Sequence, residues 1–274
     1  MTRRSFGAAA VVTGAGSGIG RAFAAELARR GGRVVCADLD PTTAKETAAL
    51  AEAAGGRGLA VECDVSVEAQ MWDLCETAER WFGEPATLVI NNAGIGAGGR
   101  VVGETPLPDW RRTLDVNLWG VIHGCHVFVP WLREHGGGIV NVASAAGFVH
   151  PPRMAAYNVA KAGVLALSRT LAAELAGTGV TVTVLCPTFV RTNIVSGERI
   201  DARAARAASV LMRLTGAAPE RIVTAALDAH DRGRLHVVPR ADARLLWWLG
   251  RLSPTAVPRA AGLLGRLLPP PDPA

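Results

Sequence analysis

Tyr157 and Lys161 stand four residues apart in Ala155–Ala176, a segment of helical periodicity, so both side chains leave one helix face. A tyrosine titrates at about 10 in water, too high for a base at neutral pH. A nearby ammonium favours the phenolate and lowers that value, making the pair a candidate general acid/base. Ser144 ends the apolar run Gly138–Ala143 and offers a hydroxyl that can orient the same reacting oxygen. Tyr157 is also the single tyrosine among 274 residues, which argues against generic filler.

A second cluster sits near the N-terminus. Thr13-Gly14-Ala15-Gly16-Ser17-Gly18-Ile19-Gly20 joins the apolar run Ala8–Thr13 to the helical segment Gly18–Arg30. Glycines there let the backbone turn tightly and approach a pyrophosphate, and the helix N-terminus adds unpaired N–H groups and partial positive charge. Asp38 closes the next apolar run. A carboxylate at that point accepts both ribose hydroxyls of an adenosine and repels a 2′-phosphate. Neither Leu39 nor Ser17 supplies a cation for such a phosphate, so the pattern favours NAD over NADP.

These residues need a frame. Arg33–Ala37, Gly58–Glu62, Leu88–Asn91, Gly138–Ala143, Val180–Cys186 and Arg234–Val238 read as further strands. Pro41–Ala54, Val67–Phe82, Asp109–Glu134, Ala155–Ala176 and Pro219–His230 read as helices, with Pro130 expected to kink or end the third. That alternation predicts an α/β fold, a doubly wound, mostly parallel Rossmann-type sheet of about seven strands with helices on both faces. Its ligand crevice should open at the carboxyl ends of the strands, where Ser144 stands. One domain is expected over 1–238, including a substrate loop at about 189–218. Residues 239–274, rich in Arg, Leu, Trp and Pro, form a C-terminal appendage.

TGAGSGIG at 13–20, Asp64, NNAG at 91–94, Asn117, Ser144 and YNVAK at 157–161 follow one another in an order that resembles the short-chain dehydrogenase/reductase superfamily in its single-domain form. The resemblance covers about 8–238. It implies hydride transfer between NAD(P) and an alcohol or carbonyl carbon, with Asn117, Ser144, Tyr157 and Lys161 as the catalytic set. Asn117 would hold a water feeding protons to Lys161, and Lys161 would also hold the nicotinamide ribose. The cofactor is expected along Gly14, Ser17, Gly18, Ile19, Gly20 and Asp38. Asp64 and Val65 would line the adenine, Asn91, Ala93 and Gly94 the adenosine side, and Pro187, Val190 and Thr192 the nicotinamide. Pro187-Thr188 departs from the family's usual Pro-Gly. Homodimers or homotetramers built on Asp109–Glu134 and Ala155–Ala176 are expected as well.

The substrate wall is read as Ile95, Phe148, Val149, Met154, Phe189, Ile194, Val195 and part of a 199–215 helix, with Ser144 and His150 offering polar contacts. Mostly apolar, it suits a steroid-, terpenoid- or lipid-like secondary alcohol or ketone. A catalytically silent nucleotide-binding regulator is the competing reading, and loss of Tyr157 or Lys161 would have been its mark. His123 and His126 have metal-like spacing, but no third ligand is evident and no metal is expected. Net charge is +5 without a basic block, which disfavours nucleic acid. The five scattered cysteines read as reduced and buried, and no signal peptide is recognised, so a cytoplasmic protein is expected. Arg244–Arg251, with Trp247 and Trp248, reads as a helix docked on the body or at a subunit interface, or else as a peripheral membrane contact over 244–268.

Overall fold

Seven parallel strands form one sheet in the order β3-β2-β1-β4-β5-β6-β7. They are β1 (Ala9–Thr13), β2 (Arg33–Asp38), β3 (Arg57–Glu62), β4 (Leu88–Asn91), β5 (Gly137–Val142), β6 (Val180–Leu185) and β7 (His236–Val237). The computed structural model describes residues 3–191, 206, 213, 215–253 and 255–265. Thr192, Ile194, Val195 and most of the expected 199–215 helix lie outside the described residues.

Strand composition explains the sheet. β1, β4 and β5 are rich in Ala, Val, Leu and Ile and almost wholly buried, as a sheet covered on both faces requires. On one face, α1 (Gly18–Arg29), α2 (Pro41–Ala53) and α8 (Pro219–Asp231) set Phe23, Leu27, Val223 and Leu227 against the strands. On the other, α3 (Glu68–Phe82), α5 (Gly120–His135) and α7 (Ala155–Glu174) contribute Met71, Leu74, Phe128, Leu132 and Val164. Full burial of each such side chain stabilises the fold by about 1.5–3 kcal/mol. The chain crosses from β3 back over the sheet to β4, so β1 and β4 flank the topological switch point and the crevice opens above their carboxyl ends.

Three expectations change. The single helix over Asp109–Glu134 is instead α4 (Leu107–Leu114), a π turn at Asp115–Trp119, and α5. Pro130 does not end α5, which continues to His135; its ring removes one N–H, but the turns on either side keep theirs. A short α6 (Ala146–Val149), with no periodic signal of its own, fills the stretch between Ser144 and Tyr157. The C-terminal appendage is helical, with α9 (Ala241–Leu252) and α10 (Ala256–Gly265). All five cysteines are free and buried.

Candidate active site

One cleft of about 450 Å³ runs along the strand ends, from Asp38 and Asp64 through Gly14 and Gly94 to Ser144, Tyr157, Lys161 and Val190. Parallel strands bring the two sequence clusters together, because β1, β4, β5 and β6 all deliver their following loops to one sheet edge.

The glycine loop is held from three sides. Asn92 Nδ2 donates to the carbonyls of Thr13 (2.9 Å) and Gly14 (3.1 Å), while Thr13 Oγ1 accepts from the N–H groups of Asn92 and Ala93. A Cβ on Gly14 would come within 2.7 Å of Ala93 Cα. A Cβ on Gly16 would overlap Thr43 Oγ1 and lie 2.8 Å from the Asp38 carboxylate, whose Oδ2 accepts from Gly16 N–H at 2.7 Å. Ser17 precedes α1 in an extended conformation and makes no side-chain cap, so it does not satisfy the first N–H groups of that helix. Arg21, in the first turns of α1, is committed to the Gly16 carbonyl, Thr47 and Glu46. This cradle fits the diphosphate and ribose of a dinucleotide: glycine where a Cβ would block approach, uncapped N–H groups, and a carboxylate at the far end.

The adenine end is a shelf over 63–66. Asp64 accepts from the backbone and hydroxyl of Ser66 (2.9 and 2.6 Å) and pairs with Arg112 at 3.5 Å. Burial works to raise its carboxyl, but the Ser66 hydrogen bonds and the Arg112 charge outweigh it and hold the group below its usual value. From α5, His123 Nδ1 donates to the Val65 carbonyl at 2.9 Å, which fixes the tautomer. His126 meets the edge of Trp72. The metal-like spacing of the two histidines thus resolves into a shelf support and a packing contact.

At the other end, the turn after β5 carries Ser144 and α7 carries Tyr157 and Lys161. The Ser144 hydroxyl accepts from Ala146 N–H at 3.1 Å, donates to Pro187 O at 3.5 Å, and lies near enough to the Tyr157 phenol to favour its ionised form. Lys161 Nζ donates to Val142 O at 2.9 Å and lies 5.8 Å from the Tyr157 ring centroid. Loss of solvation pushes the lysine down to about 8. Burial also pushes the Tyr157 phenol above its ordinary value, against the lowering effect of Ser144. The depression expected from the Tyr157–Lys161 spacing is therefore not a property of the protein alone; desolvation of both groups dominates.

Other placements differ from expectation. Asn117 lies on the π turn, fully buried, and its amide is taken up by Ile95, accepting from its N–H (2.7 Å) and donating to its carbonyl (2.8 Å). These two bonds leave one N–H and one oxygen lone pair of the amide over. A Cβ on Gly94 would sit 3.0 Å from Asn117 Oδ1 and 3.5 Å from Lys161 Nζ, so Gly94 is the gap that lets these two approach. Asn91 does not face the cleft: it donates to Asn141 Oδ1 (2.9 Å), and Asn141 donates to Ser168. Gly20 packs against the Gly14 carbonyl beneath the loop. His150 is exposed with φ 54° and does not line the cleft. Met154 packs on Tyr157 with Ala97 and Ala146. Phe148 packs on Trp247 of α9, away from the wall assigned to it. Phe189 is exposed between Thr188 and Val190, which do line the cleft with Pro187 and Ile95. Ile19 and Val65 line it as expected. Sequence reading missed Asn92, Gly16, Arg112 and Val116. Only Gly16 and Asn92 carried a signal, inside motifs already recognised.

Comparison with known proteins agrees with this geometry. The model of the short chain dehydrogenase family matches residues 8–203. A probable oxidoreductase, EphD, of Mycobacterium tuberculosis is 36% identical over 264 residues, which is 92% of this chain but 44% of that protein; the chain thus spans less than half the length of this relative. A 1-deoxy-11-beta-hydroxypentalenate dehydrogenase of Streptomyces exfoliatus is 37% identical over 86% of this chain and 84% of its own. Among solved structures, a short chain dehydrogenase/reductase from Burkholderia phymatum in complex with NAD superposes with a TM-score of 0.83 at 33% identity, covering 100% of this chain and 99% of that one. The chain belongs to the short-chain dehydrogenase/reductase family.

Proposed function

We propose that this protein is an NAD-dependent dehydrogenase/reductase of an apolar secondary alcohol or ketone, steroid-, terpenoid- or lipid-like, with Tyr157 as its acid/base. The observation that carries the reading is the single cleft with the Asp38 carboxylate at one end and Ser144, Tyr157 and Lys161 at the other. The bound nicotinamide supplies the hydride acceptor or donor. Asp38 takes the adenosine ribose hydroxyls and disfavours a 2′-phosphate; Arg21, already committed to Gly16, Thr47 and Glu46, does not offset it. Ser144 orients the reacting oxygen, and Tyr157 donates its phenolic proton to a carbonyl or accepts one from an alcohol. Lys161, anchored on Val142 O, supplies the positive charge that favours the phenolate. Asn117, held by Ile95 and facing Lys161 across Gly94, is assigned the water that feeds protons to Lys161. Thr192 is assigned to the nicotinamide amide. The apolar substrate class draws support from Ile95, Val190 and Met154 around the catalytic end and from the pentalenate relative.

Exposed Trp119, Trp131 and Val159 on the π turn, α5 and α7 support a homodimer or homotetramer through these elements. Five free, buried thiols fit a reducing compartment such as the cytoplasm. The test is a panel of apolar alcohols with NAD, and of ketones with NADH, followed by NADH absorbance. Tight NAD binding without turnover on any of them would move the protein to the silent nucleotide-binding class.

A further inference from the structure

The helix α9 is apolar on two opposite faces, and only one is used. Its inner face carries Ala243, almost fully buried, and Trp247. Trp247 sets its ring edge-on to Phe148 of α6 at 4.6 Å, meets His236 of β7 at 5.2 Å, and is covered by the guanidinium groups of Arg169 and Arg251. This docking fixes the rotation of the helix. The opposite face then presents Leu245, Trp248, Leu249 and Leu252 to solvent, at 60%, 60%, 43% and 80% exposure. Their spacing is that of one helical stripe. Leu263 of α10 is exposed as well. Isolated exposed leucines need no account, but a stripe of this kind on a docked helix does.

We infer that this outward stripe beds on an anionic lipid surface. Charge selects that occupant. Between residues 240 and 265 the chain carries Arg240, Arg244, Arg251 and Arg259 against a single acid, Asp242, which is already paired with Arg240. Arg244, Arg251 and Arg259 are exposed, and Arg244 and Arg251 flank the stripe. A second copy meeting this face across a twofold axis would bring like charges together, whereas acidic headgroups neutralise them while the leucines and Trp248 enter the headgroup boundary. No helix among the described residues is long and apolar enough to cross a bilayer, so the contact lies in the interfacial plane. α9 rests on α6, the short helix that follows Ser144, and the stripe faces away from that contact.

The test is co-sedimentation of the full chain with vesicles of phosphatidylcholine alone or mixed with phosphatidylglycerol, read without substrate or cofactor, so that it stands or falls apart from the redox reading. Binding to the mixed vesicles is expected, with little to phosphatidylcholine alone. It should weaken as salt rises and fall about tenfold in Trp248→Glu/Leu252→Glu. Arg244→Gln/Arg259→Gln should weaken it independently, which keeps the test decisive if the first pair fails to fold. Absence of binding to mixed vesicles, equal binding to both compositions, or indifference to both variant pairs would each overturn the inference. So would a smaller assembly by light scattering in Trp248→Glu/Leu252→Glu without any vesicle binding by the unmutated chain; that result would assign the stripe to a second copy.

Discussion

Tyr157 reports its own environment, because no other phenol contributes to an ultraviolet difference titration. Two opposed effects set its titration. Burial favours the neutral phenol and pushes it above its ordinary value, with Ser144 opposing. A cation opposes burial more strongly: with an ammonium 5.8 Å from the ring centroid and an effective dielectric of about 20, one unit charge is worth about 3 kcal/mol, or about 2 pKa units. In the protein alone that charge is fading when it is needed, since Lys161 itself is pushed down to about 8. Above that pH the lysine loses its proton before the phenol does. The free protein should therefore show no tyrosinate below about pH 10. Binding of NAD brings the cationic nicotinamide beside the phenol, and that charge favours the phenolate; the transition should move down by about 2 units. In the NAD complex, Lys161→Met should move it back up by about 2 units. Tyr157→Phe should abolish the transition and cost on the order of 10²–10⁴ in turnover, leaving NAD affinity and thermal midpoint little changed. A transition below 10 in the free protein, or one that NAD leaves in place, would refute the reasoning.

Asp38→Ala should narrow the NAD over NADP preference by about a hundredfold in kcat/KM measured with one substrate, and equal use of both cofactors by the unmutated enzyme would end that argument. His123→Leu removes the donor to Val65 O and should raise KM for NAD by about tenfold at constant kcat. His123→Asn should restore it, and nicotinamide mononucleotide, which lacks the adenosine, should not distinguish the three proteins; an equal penalty with both cofactors would mean general damage. His230 is fully buried in α8, donates from Nδ1 to Thr183 at 2.9 Å, and is pushed by burial down to about 4. Because the folded state prefers the neutral ring, its contribution is intact above pH 6.5 and is lost as pH falls from there toward 4, amounting to about 3 kcal/mol. His230→Gln should flatten the acid limb of urea-unfolding free energy across that window; an unchanged slope there would show that the acid sensitivity lies elsewhere.

What could be read from sequence divides along physical lines. The sheet was legible because strands covered on both faces must be largely apolar, as Ala9–Val12 and Val34–Ala37 are, and because helices between them carry one apolar stripe. The cradle was legible because Gly14 and Gly16 stand where a Cβ collides with fixed backbone or carboxylate, a constraint that leaves only one residue type. Which of two adjacent asparagines faces the loop was not. Asn91 is the last residue of β4 and Asn92 the first beyond it, so one points between helices and the other back over Thr13, and composition is blind to that alternation. The break at Asp115–Trp119 was also hidden, since a π turn keeps helical periodicity on either side and shows itself only in what it frees, here the approach of Asn117 to Ile95.

Phe148 shows the deeper limit. Its place between Ser144 and Tyr157 argued for the substrate wall, and nothing within that loop contradicts it. The contradiction comes from Trp247, about a hundred residues away in sequence, which docks on it edge-to-face. A segment read alone offers its apolar side chains to whatever lies nearest in the chain, whereas the fold assigns them to whichever surface closes most area. The same step that withdrew Phe148 from the cleft fixed α9 against α6, and with it the direction in which Trp248 and Leu252 point. The Tyr157 titration follows the same logic. Spacing placed a cation beside the phenol, but only the three-dimensional burial of both groups reveals that desolvation raises the phenol and lowers the ammonium, so that the cofactor's charge is needed to favour the phenolate.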